Sequence, residues 1–270
     1  MNKPDLKDKL IGLNSVANAR DIGGYLTTDG RRVKSRRLLR SAHLHNISAE
    51  DEKRLVKDFG LKYIVDLRLD LEVARDADKQ LDGCAYSHLN VYGSLEKAMS
   101  DAAYDPTNPV TVYYASKDIG LLDEGLYVRI AESDEGVDAY RAFFDTLISA
   151  EDGEAVIFHC TSGKDRTGIA AMLVLSALGV DEETVISDYL LSNDFFAESR
   201  KKRTEMLTAL KADAEVIEKM PLLWDAVDVR FMTTLIDRLK ERYGSVTEYL
   251  KKRLRLTDEE IESLKKKYLE

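Results

Sequence analysis

The chain has 270 residues, 44% apolar and 33% charged, with a formal net charge of -9. That length suits one large domain with a sizeable core, and the acidic balance offers no positive field to attract a nucleic acid. Two cysteines, Cys84 and Cys160, cannot form a disulfide framework, so the fold must stand on its core.

No apolar signal-peptide core lies near Met1 and no run approaches the ~18 apolar residues of a membrane span, so a cytoplasmic protein without membrane insertion is expected. With four prolines and no repeat or low-complexity stretch, residues 1–270 read as a single domain.

In chain order, the first strand candidate is Arg37–Arg40. A helix is predicted over Ala49–Asp58, with Ser48 as its cap, Asp51 and Glu52 in its first turn and Gly60 as its stop. Lys62–Leu67, rich in β-branched residues, predicts the next strand, and Cys84–Val91 another. Residues 95–130 form a long tract with Tyr104, Tyr113, Tyr114 and Tyr127, the length of a lid or binding insertion.

Ala155–His159 is apolar without alternation, as expected of a central strand covered on both faces. Strands alternating with helices imply an α/β fold with a mainly parallel sheet flanked by helices. Arg166–Leu178 is apolar around nearly its whole circumference and predicts a buried helix. From about 180 to 270 the pattern is helical, over 182–191, 193–212, 226–242, 245–253 and 258–268, with Thr257 and Glu260 in capping-box spacing.

The chemistry concentrates in Ala155-Val-Ile-Phe-His-Cys-Thr-Ser-Gly-Lys-Asp-Arg-Thr-Gly168. A buried strand ends at Cys160, a short loop with Gly163 follows, and a buried helix starts near Arg166. Such a loop points successive backbone N–H groups into one concavity with a helix dipole behind them, which is an anion site. A cysteine at its rim has its thiol pKa lowered and becomes a nucleophile for a phosphoryl centre. Arg166, six positions on, has the planar fork to hold two phosphate oxygens. The backbone of Thr161, Ser162, Gly163, Lys164, Asp165 and Arg166 would bind the phosphate. The Thr167 hydroxyl would assist the sulfur as leaving group, and His159 would orient the loop. The bland alternative for Cys160 is a structural cysteine at a strand end. A nucleotide-binding loop is excluded, because Asp165 stands where Ser or Thr is needed and Phe158 where the first glycine belongs.

Cys160-Thr-Ser-Gly-Lys-Asp-Arg-Thr-Gly resembles the signature of the cysteine-dependent protein tyrosine phosphatase superfamily. It is similar to the bacterial tyrosine-phosphatase-like branch with a Gly-Lys-Asp-Arg loop. Asn18-Ala-Arg-Asp-Ile-Gly-Gly-Tyr25 with Asp29-Gly-Arg31 and Leu39-Arg-Ser41 resembles that branch's N-terminal hallmark. Ile64-Val-Asp-Leu-Arg68 resembles its Asp-Leu-Arg strand, and Tyr243-Gly-Ser245 with Tyr249-Leu250 its C-terminal segment. The resemblance implies a phosphatase fold, hydrolysis of phosphate monoesters through a phosphocysteine, and a phosphorylated protein or phosphoinositide as substrate.

Ester cleavage needs a proton donor, and no Trp-Pro-Asp acid loop is present. Asp165, inside the loop, is one candidate. Asp66, ending a strand at the same sheet edge as Cys160, is the other, with a loop-bracing role beside Arg68 as its alternative. Asp118 and Asp123, in the insertion, are weaker options. Lys164 would add positive charge at the cradle or lie on the surface. Arg20, with Asn18 and Asp21, would support the site from outside. Cys84 reads as core rather than as a resolving thiol, and Arg200–Arg203 as a solvated helix face. No cofactor or metal is expected, because the sequence has no His/carboxylate cluster at ligand spacing. A rhodanese-like sulfurtransferase and an inactive phospho-residue binding module are the competing readings. Persulfide formation from thiosulfate would mark the first, and binding without turnover the second.

Overall fold

In the computed structural model, which describes residues 5–93 and 108–270, one sheet has the strand order β1-β2-β5-β3-β4. The strands are β1 (Arg20–Asp21), β2 (Leu38–Ser41), β3 (Leu61–Asp66), β4 (Ala85–His88) and β5 (Ala155–His159). β2, β5, β3 and β4 run parallel, and β1 alone is antiparallel to its neighbour. The mainly parallel sheet expected from sequence is the one observed. The strand predicted over Cys84–Val91 is shorter, and Cys84 falls outside it. β4 is an edge strand of exposed and half-buried residues, so no continuous apolar run marks its ends.

β5 is central and buried at every position. Its side chains alternate between two cores. Val156 and Phe158, with Leu38 and Val65, face the larger one. Ala155 and Ile157, with Leu39 and Ile64, face a smaller one built with Ile11, Leu44 and Leu55. In register, Ser41, His159, Asp66 and His88 lie side by side at the carboxyl edge of the parallel strands. Cys160 leaves the sheet from that row.

Beyond α1 (Leu6–Lys9), the helix expected over Ala49–Asp58 forms as α2 (Ala49–Lys53) and continues in a π-helical turn over Arg54–Asp58. The Ser48 hydroxyl caps it by accepting from the Asp51 N–H. α3 (Asp70–Arg75) follows β3. The expected insertion over 95–130 lies partly outside the described residues, as does Tyr104. Its described part holds α4 (Pro109–Asp118) and α5 (Leu126–Glu132). α6 (Asp134–Ser149) then leads into β5.

α7 (Arg166–Ala177) is buried along its length, as its all-round apolar sequence requires. Fully buried side chains such as Ile169, Leu173 and Leu175 contribute roughly 1.5–3 kcal/mol each.

The helical half differs in its boundaries. The two helices expected over 182–191 and 193–212 form as α8 (Glu182–Phe195) and α9 (Ala197–Ala209), but the break between them falls later, at Phe196, whose backbone (φ -91°, ψ 8°) leaves the helical path. α10 (Ala214–Asp225), with Pro221 inside it, goes beyond the elements expected from sequence, as does α6. The helix expected over 226–242 starts later, as α11 (Val229–Tyr243), because Asp228 caps it by accepting from the Arg230 N–H. α12 (Val246–Lys252) and α13 (Asp258–Tyr268) follow, and α13 carries the Thr257/Glu260 capping box. A separate small cluster of Tyr113, Leu207, Val216 and Met220 joins α4 to α9 and α10. Among the described residues, no helix is long and apolar enough to cross a membrane.

Candidate active site

Residues 160–165 join β5 to α7. The loop closes against the end of β2, and Gly163 makes this possible. Its φ of +66° favours glycine, and a Cβ there would sit 2.2 Å from the Ser41 carbonyl oxygen.

The loop's carbonyls are tied down from outside. Thr161 accepts from the His43 N–H at 3.3 Å. Ser162 and Gly163 accept from the Asn18 amide at 3.2 and 3.0 Å. Gly163 and Lys164 accept from the Arg40 guanidinium at 2.9 and 3.4 Å. Among the described residues, no backbone N–H of 161–165 donates to a protein acceptor. With its carbonyls held behind it, the loop presents donors to its other side.

Cys160 is buried and free. Burial works against its thiolate, but the Arg166 charge and the Thr167 hydroxyl and N–H outweigh it, holding the thiol below its ordinary value. The Thr167 hydroxyl is buried without an oxygen or nitrogen partner, so it is free to donate to the sulfur.

Arg166 is held by Glu72 of α3, a residue the sequence did not single out. Its Nη2 donates to Glu72 Oε1 at 3.0 Å and its Nη1 to Oε2. Glu72 also accepts from the Thr161 hydroxyl and, at 2.9 Å, from the Leu69 N–H. Burial opposes its charge, yet Arg166 and Thr161 bring its carboxyl down to about 2. Tyr92 lies under the Arg166 guanidinium, 5.0 Å from carbon to ring centroid. The Arg166 Nε is buried without a partner.

Asp165 and Lys164 line both neighbouring cavities. The first, of about 460 Å³, is also lined by Glu72, Thr161 and Arg166 and by Arg203 and Trp224 from α9 and α10. The second, of about 640 Å³, adds Tyr92, Tyr113, Tyr127, Tyr189 and Phe231. Asp165 accepts from the Tyr127 hydroxyl at 2.6 Å and pairs with Lys164 at 2.7 Å. Lys164 is buried rather than on the surface, and its ammonium also donates to the Leu223 carbonyl of α10 at 2.9 Å.

Asp66 is not brought to this concavity. Its carboxylate accepts from Arg68 at 2.7–3.0 Å and from the Tyr86 hydroxyl at 2.7 Å, and it lies 3.8 Å from His159. Burial opposes its charge, but His159 and Arg68 hold the carboxyl at about 2, a poor state for a proton donor. His159 sits behind Cys160 between Asp66 and Asp78, with Nε2 2.8 Å from Asp78. Burial disfavours the imidazolium, but Asp78 and Asp66 raise the His159 pKa above its ordinary value.

Asp66, Asp78 and His159 therefore converge as a possible metal-ligand set, although the sequence shows no ligand spacing. Arg68 donates to both carboxylates, so the cluster already holds a cation of its own and fits an internal ion network better than a metal centre.

Arg20, expected to support the site, is buried. It bonds Asn18, Asp188 and Ser192 rather than the loop. Asp21 accepts from the N–H groups of Gly23 and Arg36. Asp123 accepts from the Gly125 N–H and pairs with Arg129, and it lines the larger cavity together with Lys164 and Asp165. Cys84 is half-buried against the Leu61 carbonyl, and burial pushes its thiol up. The run at 200–203 is solvated only at Lys201 and Lys202. Arg203 turns inward to Asp225 and stacks on Trp224 at 4.4 Å.

The sequence profile described as "Tyrosine phosphatase family" matches residues 11–270. A predicted tyrosine-protein phosphatase of Cupriavidus necator is 30% identical over 244 residues, covering 89% of this chain and 82% of its own. The triple specificity protein phosphatase PtpB of Mycobacterium tuberculosis is 28% identical over 262 residues, covering 87% and 90%. A tyrosine-protein phosphatase of Nostoc commune is 30% identical over 130 residues, covering 47% and 42%. The family match runs along nearly the whole described fold and both long relatives are named as phosphatases, so the chain belongs to the tyrosine phosphatase family and is a phosphoric monoester hydrolase.

Proposed function

We propose that this phosphatase works through a phosphocysteine on Cys160, with Asp165 as its proton donor. The Cys160 thiolate attacks phosphorus in line. The bond to the ester oxygen breaks, and a protonated Asp165 gives that oxygen its proton. Arg166 and the N–H groups of 161–166 hold the equatorial oxygens. Water then attacks phosphorus, the S–P bond breaks, and Asp165 takes back the water's proton. The observation that carries this reading is the loop itself, with its carbonyls bound from behind and its thiol held low beside Arg166.

Asp165 is preferred to Asp66 because it lines both cavities and Asp66 lines neither. His159 and Arg68 act as supports from the sheet edge. Helix α10 serves as a lid over the loop, tied to it through Lys164 and Leu223, and α4 packs on α10 through Tyr113. Phosphotyrosine is the first substrate class, with phosphoserine, phosphothreonine and phosphoinositides open to the same cradle through the second cation at Lys164.

The test is hydrolysis of p-nitrophenyl phosphate in excess chelator by wild type and Cys160→Ser, with acid quenching to trap labelled phosphoenzyme. Chelator-resistant turnover and phosphoenzyme in wild type, both lost in Cys160→Ser, are expected. Turnover surviving in that variant would overturn the mechanism. A panel of phosphopeptides and phosphoinositides then ranks the substrate classes.

A further inference from the structure

Two arginines lie opposite each other beneath the phosphate loop. Arg20 on β1 and Arg40 on β2 are register partners across the antiparallel pair, and both are fully buried. Like charges placed so are destabilising unless neutralised. Among the described residues, a single carboxylate bonds them. Asp188 of α8 accepts from Arg40 Nη1 at 2.8 Å and from Arg20 Nε at 3.4 Å, and it also takes the Tyr25 hydroxyl at 3.0 Å. Burial and the neighbouring Arg40 lower the Arg20 pKa only to about 10, so its guanidinium stays charged at neutral pH. Two positive charges over one negative leave an excess of one beneath the cradle.

The group reaches the loop at two points. Arg40 Nη2 donates to the carbonyls of Gly163 and Lys164. Asn18, whose side-chain oxygen is held by Arg20, donates its amide to the carbonyls of Ser162 and Gly163. Arg40 leaves its own Nε buried without a partner, an arrangement that stability alone does not favour.

We propose that Arg40, with Asp188 as its counter-ion only, and Asn18, held by Arg20, are positioning residues of the phosphate loop. They draw its carbonyls backward so that its N–H groups face the anion, and they place one uncompensated positive charge behind it. This rests on the phosphate-loop reading above and assigns its rear support to residues distant from the substrate.

Inorganic phosphate is the probe. Its affinity is measured on the full chain by calorimetry and by competitive inhibition of p-nitrophenyl phosphate hydrolysis, well below each variant's unfolding midpoint. Arg40→Gln is expected to weaken phosphate binding roughly tenfold, the scale of one charge-assisted hydrogen bond. Asp188→Asn removes the counter-ion and leaves more positive charge, so it is expected to bind phosphate no more weakly than wild type. A purely structural role would lower both unfolding midpoints and leave both affinities alone. Should Arg40→Gln fail to fold, Arg40→Lys and Asn18→Ala carry the test. The lysine, which keeps the charge, is expected within about threefold of wild type, and Asn18→Ala several-fold weaker. Affinities of Arg40→Gln or Asn18→Ala within twofold of wild type would overturn the proposal, as would an Asp188→Asn variant as weak as Arg40→Gln. Wild type that binds no phosphate would instead overturn the phosphate-loop reading.

Discussion

Replacing Glu72 with glutamine removes the negative charge beside Arg166 while keeping the side chain's length and one acceptor oxygen. In the wild type this carboxylate takes both Nη atoms of Arg166 and the Thr161 hydroxyl. Its folded pKa of about 2 lies below an ordinary 4.5, a difference that corresponds to roughly 3 kcal/mol of stability. Because the folded value is depressed, that contribution is fully present above pH 4.5 and is lost as pH falls through the folded value near 2. Urea unfolding of wild type and Glu72→Gln at several pH values between 3 and 7 measures it. The gap should be of order 3 kcal/mol at pH 7 and narrow steadily below pH 4.5, since the other carboxylates titrate alike in both proteins. Turnover should fall as well. A guanidinium loosened from its carboxylate drifts, and misplacement of about 1 Å costs on the order of 100-fold in rate. A gap that stays constant from pH 7 to pH 3 would refute the reasoning, because Glu72 would then act through packing rather than charge.

Gly163→Ala should abolish turnover and destabilise the fold by several kcal/mol, roughly the scale reserved for steric conflict at a special backbone position, because its Cβ would meet the Ser41 carbonyl. Circular dichroism melts and phosphate binding check this, and a variant as stable and active as wild type would contradict it. Asp165→Asn should slow hydrolysis of a poor leaving group, such as an alkyl phosphate, by about 10²–10⁴-fold and p-nitrophenyl phosphate far less. Equal losses on both substrates would remove Asp165 from the proton-donor role. His159 has a raised folded pKa, so its charged form contributes stability below the ordinary value of 6.5 that fades as pH rises through the folded value. Wild type should therefore exceed His159→Asn in stability most at pH 6 and less towards pH 9, and a gap that does not change over that span would count against the ion network.

The loop was legible in sequence because its parts are contiguous. A buried strand, a glycine and an apolar helix sit within Ala155–Ala177, and local rules suffice to join them. The partners that hold the loop come from elsewhere and were harder to see. Asp188 left a trace, since it shares one helical face with Val185, Tyr189 and Ser192, all buried, and a carboxylate on an apolar stripe needs a cation. Glu72 left none. It stands in the run from Asp66 to Asp78, where Asp66, Asp70, Glu72, Asp76 and Asp78 look alike, and only the fold decides which turn inward. The strand-end argument placed Asp66 at the correct edge, but it could not show that Arg68 wraps back onto that carboxylate. α10 escaped because Pro221 interrupts the pattern that a helix prediction relies on.

The loop is flanked by two buried ion networks, one of Arg20, Arg40 and Asp188 on the β1–β2 side, the other of Asp66, Arg68, Asp78 and His159 at the end of β3 and β5. Buried ions are poor stabilisers, because desolvation offsets most of their attraction, and apolar side chains of equal volume commonly do as well or better. Stability therefore does not explain why charge is placed here, when the same sheet fills most of its other interior positions with Leu, Ile, Val and Phe. Geometry does. One network bonds the loop's carbonyls directly and the other holds His159, the residue next to Cys160. Catalysis by a phosphate cradle depends on donors already aimed when the substrate arrives. Short, directional, charge-assisted bonds fix an orientation that apolar packing, which resists displacement but not rotation, leaves loose. The apolar core around α7 supplies the stability that these networks forgo.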